Sequence, residues 1–162
     1  MVQQIVLQFS TSHAWQSGII RFMCHSDFSH VDVLVDEPKP YGLLGASDPG
    51  GVLVRPHDYQ KFKLRRRATI VTDKADEIVA LMHSQVGKPF DSEALKAVLD
   101  DKPRIWKDPN AWFCSELVTW AMERSGFFPH LVVAKNRISP ADLLLLLNSH
   151  IDPAEFTTEV VE

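Results

Sequence analysis

Two residues of the chain could together supply a nucleophile and a base. The first is Cys114, which opens a stretch, residues 114–126, with the apolar spacing of a helix that buries one face. Leu117, Val118 and Ala121 mark that face. Cys114 would lie in the first turn, where unpaired N–H groups and the helix dipole favour a thiolate, and the same N–H groups could hold an oxyanion. The alternative interpretation is an inert cysteine that packs in the core.

The second residue is His30, which begins a stretch, residues 30–36, where valines alternate with other residues. Such alternation predicts a strand, with His30 and Asp32 on the face opposite the valines. A cysteine nucleophile needs a base within ~2.6–3.2 Å, and the other six histidines fall on or beside predicted helices, loops and turns. From these residues alone, His30 could equally be an ordinary polar residue at a strand end.

The elements that must position these residues form an α+β pattern. Strands are predicted over 5–10, 29–36, 41–47, 51–56 and 63–72. Helices are predicted over 11–23, 73–87 and 91–101, from Cys114 to about Ser125, and from Ser139 onwards. This order predicts one antiparallel sheet packed against helices. We expect a single domain over residues 1–152 and a frayed polar tail over residues 153–162.

Composition narrows the class of protein. The chain has 162 residues, 45% of them hydrophobic, and a net charge of −4, which suits a globular domain and argues against a nucleic-acid partner. The one basic run, residues 61–67, is interpreted first as an exposed strand face and second as a patch for phosphate or lipid headgroups. No apolar run approaches the ~18 residues of a membrane span, so we expect no stable membrane insertion.

The N-terminal residues and the cysteines indicate the cellular compartment in which the protein is expected. Residues 1–10 lack the basic start and the long apolar run of a signal peptide, so a cytoplasmic protein is expected. Cys24 and Cys114 cannot form a disulfide framework and suit a reducing compartment, with a single bridge between them left open. Cys24, His25 and His30 superficially suggest a metal, but no second short-spaced pair accompanies them. We therefore expect neither a metal nor a cofactor.

Three short motifs carry a family resemblance. "SHV" at 29–31, "GKPFD" at 87–91 and "FCSELV" at 113–118 occur in this order. Together they resemble the circularly permuted NlpC-like papain-fold cysteine hydrolases, most closely the YiiX-like group and more distantly the lecithin–retinol acyltransferase relatives. The resemblance implies a permuted papain-like fold, with His30 as the general base and Cys114 as the nucleophile at the start of a core helix.

The same resemblance suggests an activity. It implies a thiol peptidase or amidase type of hydrolase, or an acyltransferase, acting through a thioacyl-enzyme on an amide or ester bond. Small peptides, peptidoglycan-type peptides and lipids all remain open as substrates. A chain without an export signal would reach the cell wall by phage-encoded delivery or by lysis. The alternative is a non-catalytic binding module or a structural phage or bacterial subunit on the same fold, and the oligomeric state is left open.

One departure from the family concerns the third catalytic group. The family usually carries a polar residue, often Glu, on the strand after the histidine, and Gly45 stands at that place here. Such a group orients the imidazole and stabilises its cation. Ser47, Asp48 and Asp32 are the candidates to replace it, besides a backbone carbonyl or a water molecule.

Aromatic residues surround the predicted nucleophile. Trp106, Trp112 and Phe113 precede or adjoin Cys114, and they could line a substrate groove. The alternative is that at least one of them packs in the core at the start of the helix.

Overall fold

The computed structural model describes residues 3–13, 27–93, 108, 110–131 and 138–161. The strands in this part of the chain are β1 (Gln4–Ser12), β2 (His30–Val35), β3 (Gly42–Ser47), β4 (Gly51–Pro56), β5 (Phe62–Val71) and β6 (Phe156–Val161). The helices are α1 (Ala75–His83), α2 (Cys114–Arg124) and α3 (Pro140–His150). The predicted α+β class is confirmed.

The strands form one antiparallel sheet in the order β4-β3-β2-β1-β5-β6. The strand that begins with His30 is therefore internal, with a neighbour on each side. On β3 the register sets Leu44 opposite Val33, which brings Gly45 beside Asp32. Side chains alternate between the faces of a strand, so His30 and Asp32 lie on the face of β2 opposite Val31 and Val33.

One face of the sheet forms the core with the three helices. Val31 and Val33 are fully buried on β2, as the alternating pattern predicts. The helices contribute apolar residues spaced three and four apart, which is how a helix presents one stripe to a sheet. The buried helical residues of this cluster include Ile78, Met82, Leu117, Val118, Ala121, Leu143 and Leu147.

The tail differs from the expectation of fraying. Residues 156–161 form β6, which pairs with β5 from Phe156 opposite Ile70 to Val161 opposite Arg65. An edge strand is held by backbone hydrogen bonds on one side, so it does not need the apolar pattern by which internal strands are found. The prediction of a frayed tail is wrong for these residues.

Two predicted helices extend beyond the described residues. Residues 14–23 of the helix predicted over 11–23, and residues 94–101 of the helix predicted after "GKPFD", lie outside them, while residues 11 and 12 belong to β1. The helix predicted over 73–87 is shorter than expected, because it begins at Ala75 after Lys74 and ends at His83. No helix among the described residues has the length and apolarity that a membrane crossing requires.

Candidate active site

Cys114 is the first residue of α2, as predicted. Its residue is 1% exposed and its thiol is free. The preceding residue, Phe113, has an extended backbone and provides no side-chain cap, while its N–H donates to Oε2 of Glu116 at 3.4 Å. The helix ends at Arg124, and Gly126 follows with a φ of 77°, the left-handed conformation that glycine adopts easily after a helix.

The start of α2 is tied to the sheet by the "GKPFD" segment, residues 87–91. Phe90 forms a β-bridge with Trp112, two residues before the nucleophile. On the other side of the segment, the N–H of Val52 on β4 donates to the carbonyl oxygen of Lys88 at 2.9 Å. The segment thus connects β4 to the residues that precede Cys114. Its physical role is to fix the position of the helix start.

His30 and Asp32 form a hydrogen-bonded pair on β2. Nε2 of His30 lies 2.9 Å from Oδ1 of Asp32, and the two side chains are 12% and 0% exposed. Two residues separated by one position on a strand point to the same face, which is why the pair can form. Among the described residues, Asp32 rather than Ser47 or Asp48 is the candidate acid bonded to the imidazole.

Cys114 completes this arrangement from α2. Its Sγ lies 4.0 Å from the carbonyl oxygen of Ser29, the residue before His30. Burial by itself lowers the pKa of His30, but the charges of Asp32 and Cys114, and hydrogen bonds to both, raise that pKa from 6.5 to about 10. Because Nε2 is hydrogen-bonded to Asp32, Nδ1 is the ring nitrogen of His30 that this carboxylate does not engage. An imidazole held in this way favours its cation.

Gly45 explains why the acid can come from β2. A Cβ atom placed on residue 45 would overlap Oδ1 of Asp32. The Asp32 carboxylate therefore occupies the space that a side chain on the neighbouring strand would otherwise fill. The departure seen at Gly45 leaves the histidine with a carboxylate, supplied from two residues along its own strand.

Tyr59 is a site residue that the sequence analysis missed. Its hydroxyl donates to Oδ2 of Asp32 at 3.2 Å. Burial, followed by the charge of Asp32, raises the pKa of Tyr59 above its ordinary value, so the hydroxyl keeps its proton. Tyr59 lies in the connection between β4 and β5, a place where a lone aromatic residue carries no recognisable signal.

Arg55 lies behind Tyr59 and is 9% exposed. Its guanidinium carbon is 5.6 Å from the centre of the Tyr59 ring. The guanidinium donates to the carbonyl oxygens of Gly45 at 3.1 Å and Gly51 at 2.8 Å. These hydrogen bonds stabilise the turn between β3 and β4 and hold the backbone of Gly45 beside the Asp32 carboxylate.

The aromatic residues near the nucleophile pack rather than line an open groove. Trp112 is 4% exposed, and its ring centre lies 5.0 Å from that of Trp120. Phe113 is partly buried, with its ring 5.6 Å from that of Phe90. The core-packing alternative holds for Trp112, while Trp106 lies outside the described residues.

Metal ligation finds no support in the described part of the chain. No group of three or more His, Cys, Asp or Glu side chains there is arranged to hold a metal ion. His30 and Asp32 bond to each other instead of converging on a common point. Cys24 and His25, which entered the metal hypothesis, lie outside the described residues.

Comparison with known proteins bears on the fold. The crystal structure of metalloprotein yiiX from Escherichia coli O157:H7 superposes with a TM-score of 0.63, covering 99% of this chain and 97% of that chain at 18% sequence identity. No protein-family model matches the chain, and no curated protein matches it either. The relation to NlpC-like papain-fold enzymes, including the permutation, stays a prediction. The chain has the yiiX-like fold.

Proposed function

We propose that the chain is a cysteine hydrolase or acyltransferase in which Cys114 is the nucleophile and His30 the general base and acid. The observation that carries this proposal is the partly buried His30 imidazole, which is hydrogen-bonded to Asp32, with Sγ of Cys114 4.0 Å from the carbonyl oxygen of the residue before His30. A nucleophile, a base and a group that orients the base are the parts that covalent acyl transfer needs. Asp32 holds the imidazole through Nε2 and stabilises its cation.

The reaction would proceed in two halves. Sγ of Cys114, as the thiolate, attacks the carbonyl carbon, and an S–C bond forms as the carbonyl electrons move to oxygen. His30 gives its proton to the leaving amine or alkoxide, the C–N or C–O bond breaks, and a thioester remains on Cys114. A water or an acceptor hydroxyl or amine then gives its proton to His30 and attacks the thioester. The S–C bond breaks, the product leaves, and the thiolate and imidazolium are restored.

The start of α2 supplies the complementary electrostatics. The oxyanion that forms on the carbonyl oxygen would be held by N–H groups of the first turn, those of Cys114 and Ser115. Because Phe113 offers no capping side chain, no side-chain acceptor at the N-cap competes for these donors. Such preorganised donors stabilise charge that develops in the transition state.

The substrate class follows from the motifs and not from the geometry. We propose an amide or ester carbonyl of a small peptide, a peptidoglycan-type peptide or a lipid. The yiiX protein is described as a metalloprotein. The steps proposed for this chain are written with its own side chains.

The binding-module alternative rested on the absence of an acid at position 45. Asp32 provides a carboxylate on the imidazole, so that motive for a non-catalytic role is removed. The two functions differ in one chemical property. An enzyme of this kind holds a reactive thiolate, whereas a binding module on the same fold has no use for one.

The test measures that property in a Cys24→Ser background, where Cys114 is the one thiol of the chain. We expect Cys114 to be alkylated by iodoacetamide faster than a model thiol, and to carry a thioester after exposure to p-nitrophenyl acetate. Cys114→Ser, nearly isosteric, should fold normally and lose both signals. Their absence from the folded parent, or their persistence in His30→Ala, would contradict the proposal.

A further inference from the structure

The Asp32 carboxylate is held at both oxygens by two different elements. Oδ1 accepts from Nε2 of His30 at 2.9 Å, and Oδ2 accepts from the Tyr59 hydroxyl at 3.2 Å. The side chain of Asp32 is fully buried. A buried carboxylate with one partner can rotate about its χ angles, whereas two partners on opposite oxygens define its plane.

The space around this carboxylate is narrow because of β3. A Cβ on residue 45 would overlap Oδ1 of Asp32, so the carboxylate fits only against a glycine. The backbone of Gly45 is held in turn by Arg55, which donates to its carbonyl oxygen. On the side of β3, the Asp32 carboxylate therefore contacts backbone that hydrogen bonds hold in place.

On the other side of the Asp32 carboxylate, at Oδ2, lies Tyr59. Its N–H donates to the carbonyl oxygen of Pro56 at 3.0 Å, and its ring packs edge-on against Phe62, 5.6 Å between ring centres. The Tyr59 oxygen accepts from Nε2 of Gln60 at 3.1 Å, which leaves its own proton for Asp32. The hydroxyl is thus directed at the carboxylate by contacts that do not involve the histidine.

We propose that Tyr59 is a positioning residue of this site: its hydroxyl, together with the space left by Gly45, fixes the Asp32 carboxylate so that it aligns His30 towards Cys114. This inference rests on the proposed function. The charged or titratable groups that face the carboxylate and Tyr59 are His30 on β2, Arg55 on β4 and Cys114 on α2. Tyr59 acts on the chemistry only through Asp32.

The decisive variant is Tyr59→Phe, which removes the hydroxyl and keeps the ring against Phe62 and Arg55. Without the second hydrogen bond, the carboxylate spends less time on the imidazole. We expect the pKa of His30, measured by NMR titration, to fall by about half a unit to one unit. We expect acylation of Cys114 by p-nitrophenyl acetate to slow about three- to tenfold.

The matched control is Tyr41→Phe. It removes a phenolic hydroxyl that also makes a hydrogen bond, accepting from Arg67 at 2.6 Å, but one that does not reach Asp32. A general effect of losing a buried hydroxyl would appear in both variants. The inference requires that Tyr41→Phe leave the His30 titration and the acylation rate at their parent values.

A second variant, Gly45→Ala, pushes on the carboxylate from the opposite side and should change both measurements in the same direction as Tyr59→Phe. If Tyr59→Phe does not fold, Gly45→Ala still tests whether the fixed position of the Asp32 carboxylate controls the His30 titration and the acylation of Cys114. A parent protein whose His30 titrates near 6.5 and whose Cys114 is not acylated defeats the proposed function itself. A parent that behaves as proposed, beside Tyr59→Phe and Gly45→Ala variants unchanged in both measurements, defeats only the role of Tyr59.

Discussion

The helices α2 and α3 have the same length, 11 residues, and begin in different ways. At α3, the Ser139 hydroxyl accepts from the N–H of Asp142 at 3.1 Å, and the Asp142 carboxylate accepts from the N–H of Ser139 at 2.9 Å. At α2, Phe113 occupies the same place and has no side-chain acceptor. Half of the capping arrangement is kept there, because Glu116 still accepts from the N–H of Phe113.

This difference separates a helix start that is capped by its own side chains from one that we propose to be catalytic. A reciprocal cap satisfies the N–H groups of the first turn with the helix's own side chains, and the capping residue contributes about 1 kcal/mol to stability. The start of α2 gives up the hydroxyl cap and sets a thiol beside His30. Its position is secured from outside the helix, through Trp112 and Phe90.

The largest effect is expected from Asp32 on β2, whose removal tests how much this strand contributes to the reactivity of Cys114 on α2. In Asp32→Asn, burial still lowers the pKa of His30 while the larger of the two charges that raise it is gone, so the pKa should fall well below about 10. At about pH 8 the imidazole, a cation in the parent, becomes neutral. Acylation of Cys114 should slow about ten- to hundredfold, measured with p-nitrophenyl acetate.

The control for this prediction is Asp48→Asn, which neutralises an exposed acid in the turn after β3 and should change neither quantity. If acylation were lost in Asp48→Asn and kept in Asp32→Asn, the acid that orients His30 would be Asp48 in the turn and not Asp32 on β2.

A smaller effect is expected when α2 receives the cap that α3 has. In Phe113→Ser, the new hydroxyl can accept from the N–H of Glu116, as Ser139 accepts from that of Asp142. The acceptor competes with the thiolate for the first-turn donors, so acylation should slow about two- to fivefold. Phe113→Leu, which loses the ring without adding an acceptor, is the control. Equal rates in the two variants would show that the N–H of Glu116 contributes nothing to the reactivity of Cys114.

The smallest expected effect on chemistry belongs to α3. Ser139→Ala should lower the free energy of unfolding by about 1 kcal/mol, because one N–H loses its acceptor, and leave the acylation rate unchanged. Urea denaturation measures the loss. Ser149→Ala, near the exposed end of the same helix, should cost less. A slower acylation in Ser139→Ala would mean that the two helix starts are coupled.

The sequence was sufficient for the residues whose roles depend on local pattern. The apolar spacing after Cys114 predicted α2, and the alternation after His30 predicted β2, because both periods are properties of contiguous residues. The choice among Ser47, Asp48 and Asp32 required cross-strand neighbours. Gly45 shows the difficulty: an absent side chain is informative only once the carboxylate beside it is known.

Two other features, the role of Tyr59 and strand β6, were not predicted from the sequence because they depend on tertiary contacts. Tyr59 reaches Asp32 across the sheet from a connection between strands, a contact that no local pattern encodes. Strand β6 is stabilised by the backbone of β5, and its exposed polar side chains resemble those of a loose tail. Local pattern therefore predicts the elements that carry Cys114 and His30, whereas the contacts of Asp32 and Tyr59 depend on tertiary structure.

The bridge between Phe90 and Trp112 has a consequence for how such a protein can diversify. The bridge holds Phe90 and Trp112 next to each other although they are distant in the sequence, so the two ends of the intervening segment are fixed in space. The entropic cost of closing a loop rises slowly, by about 0.6 kcal/mol for each doubling of its length. We therefore expect insertions between Phe90 and Trp112 to cost little stability and to leave the start of α2 where the bridge holds it.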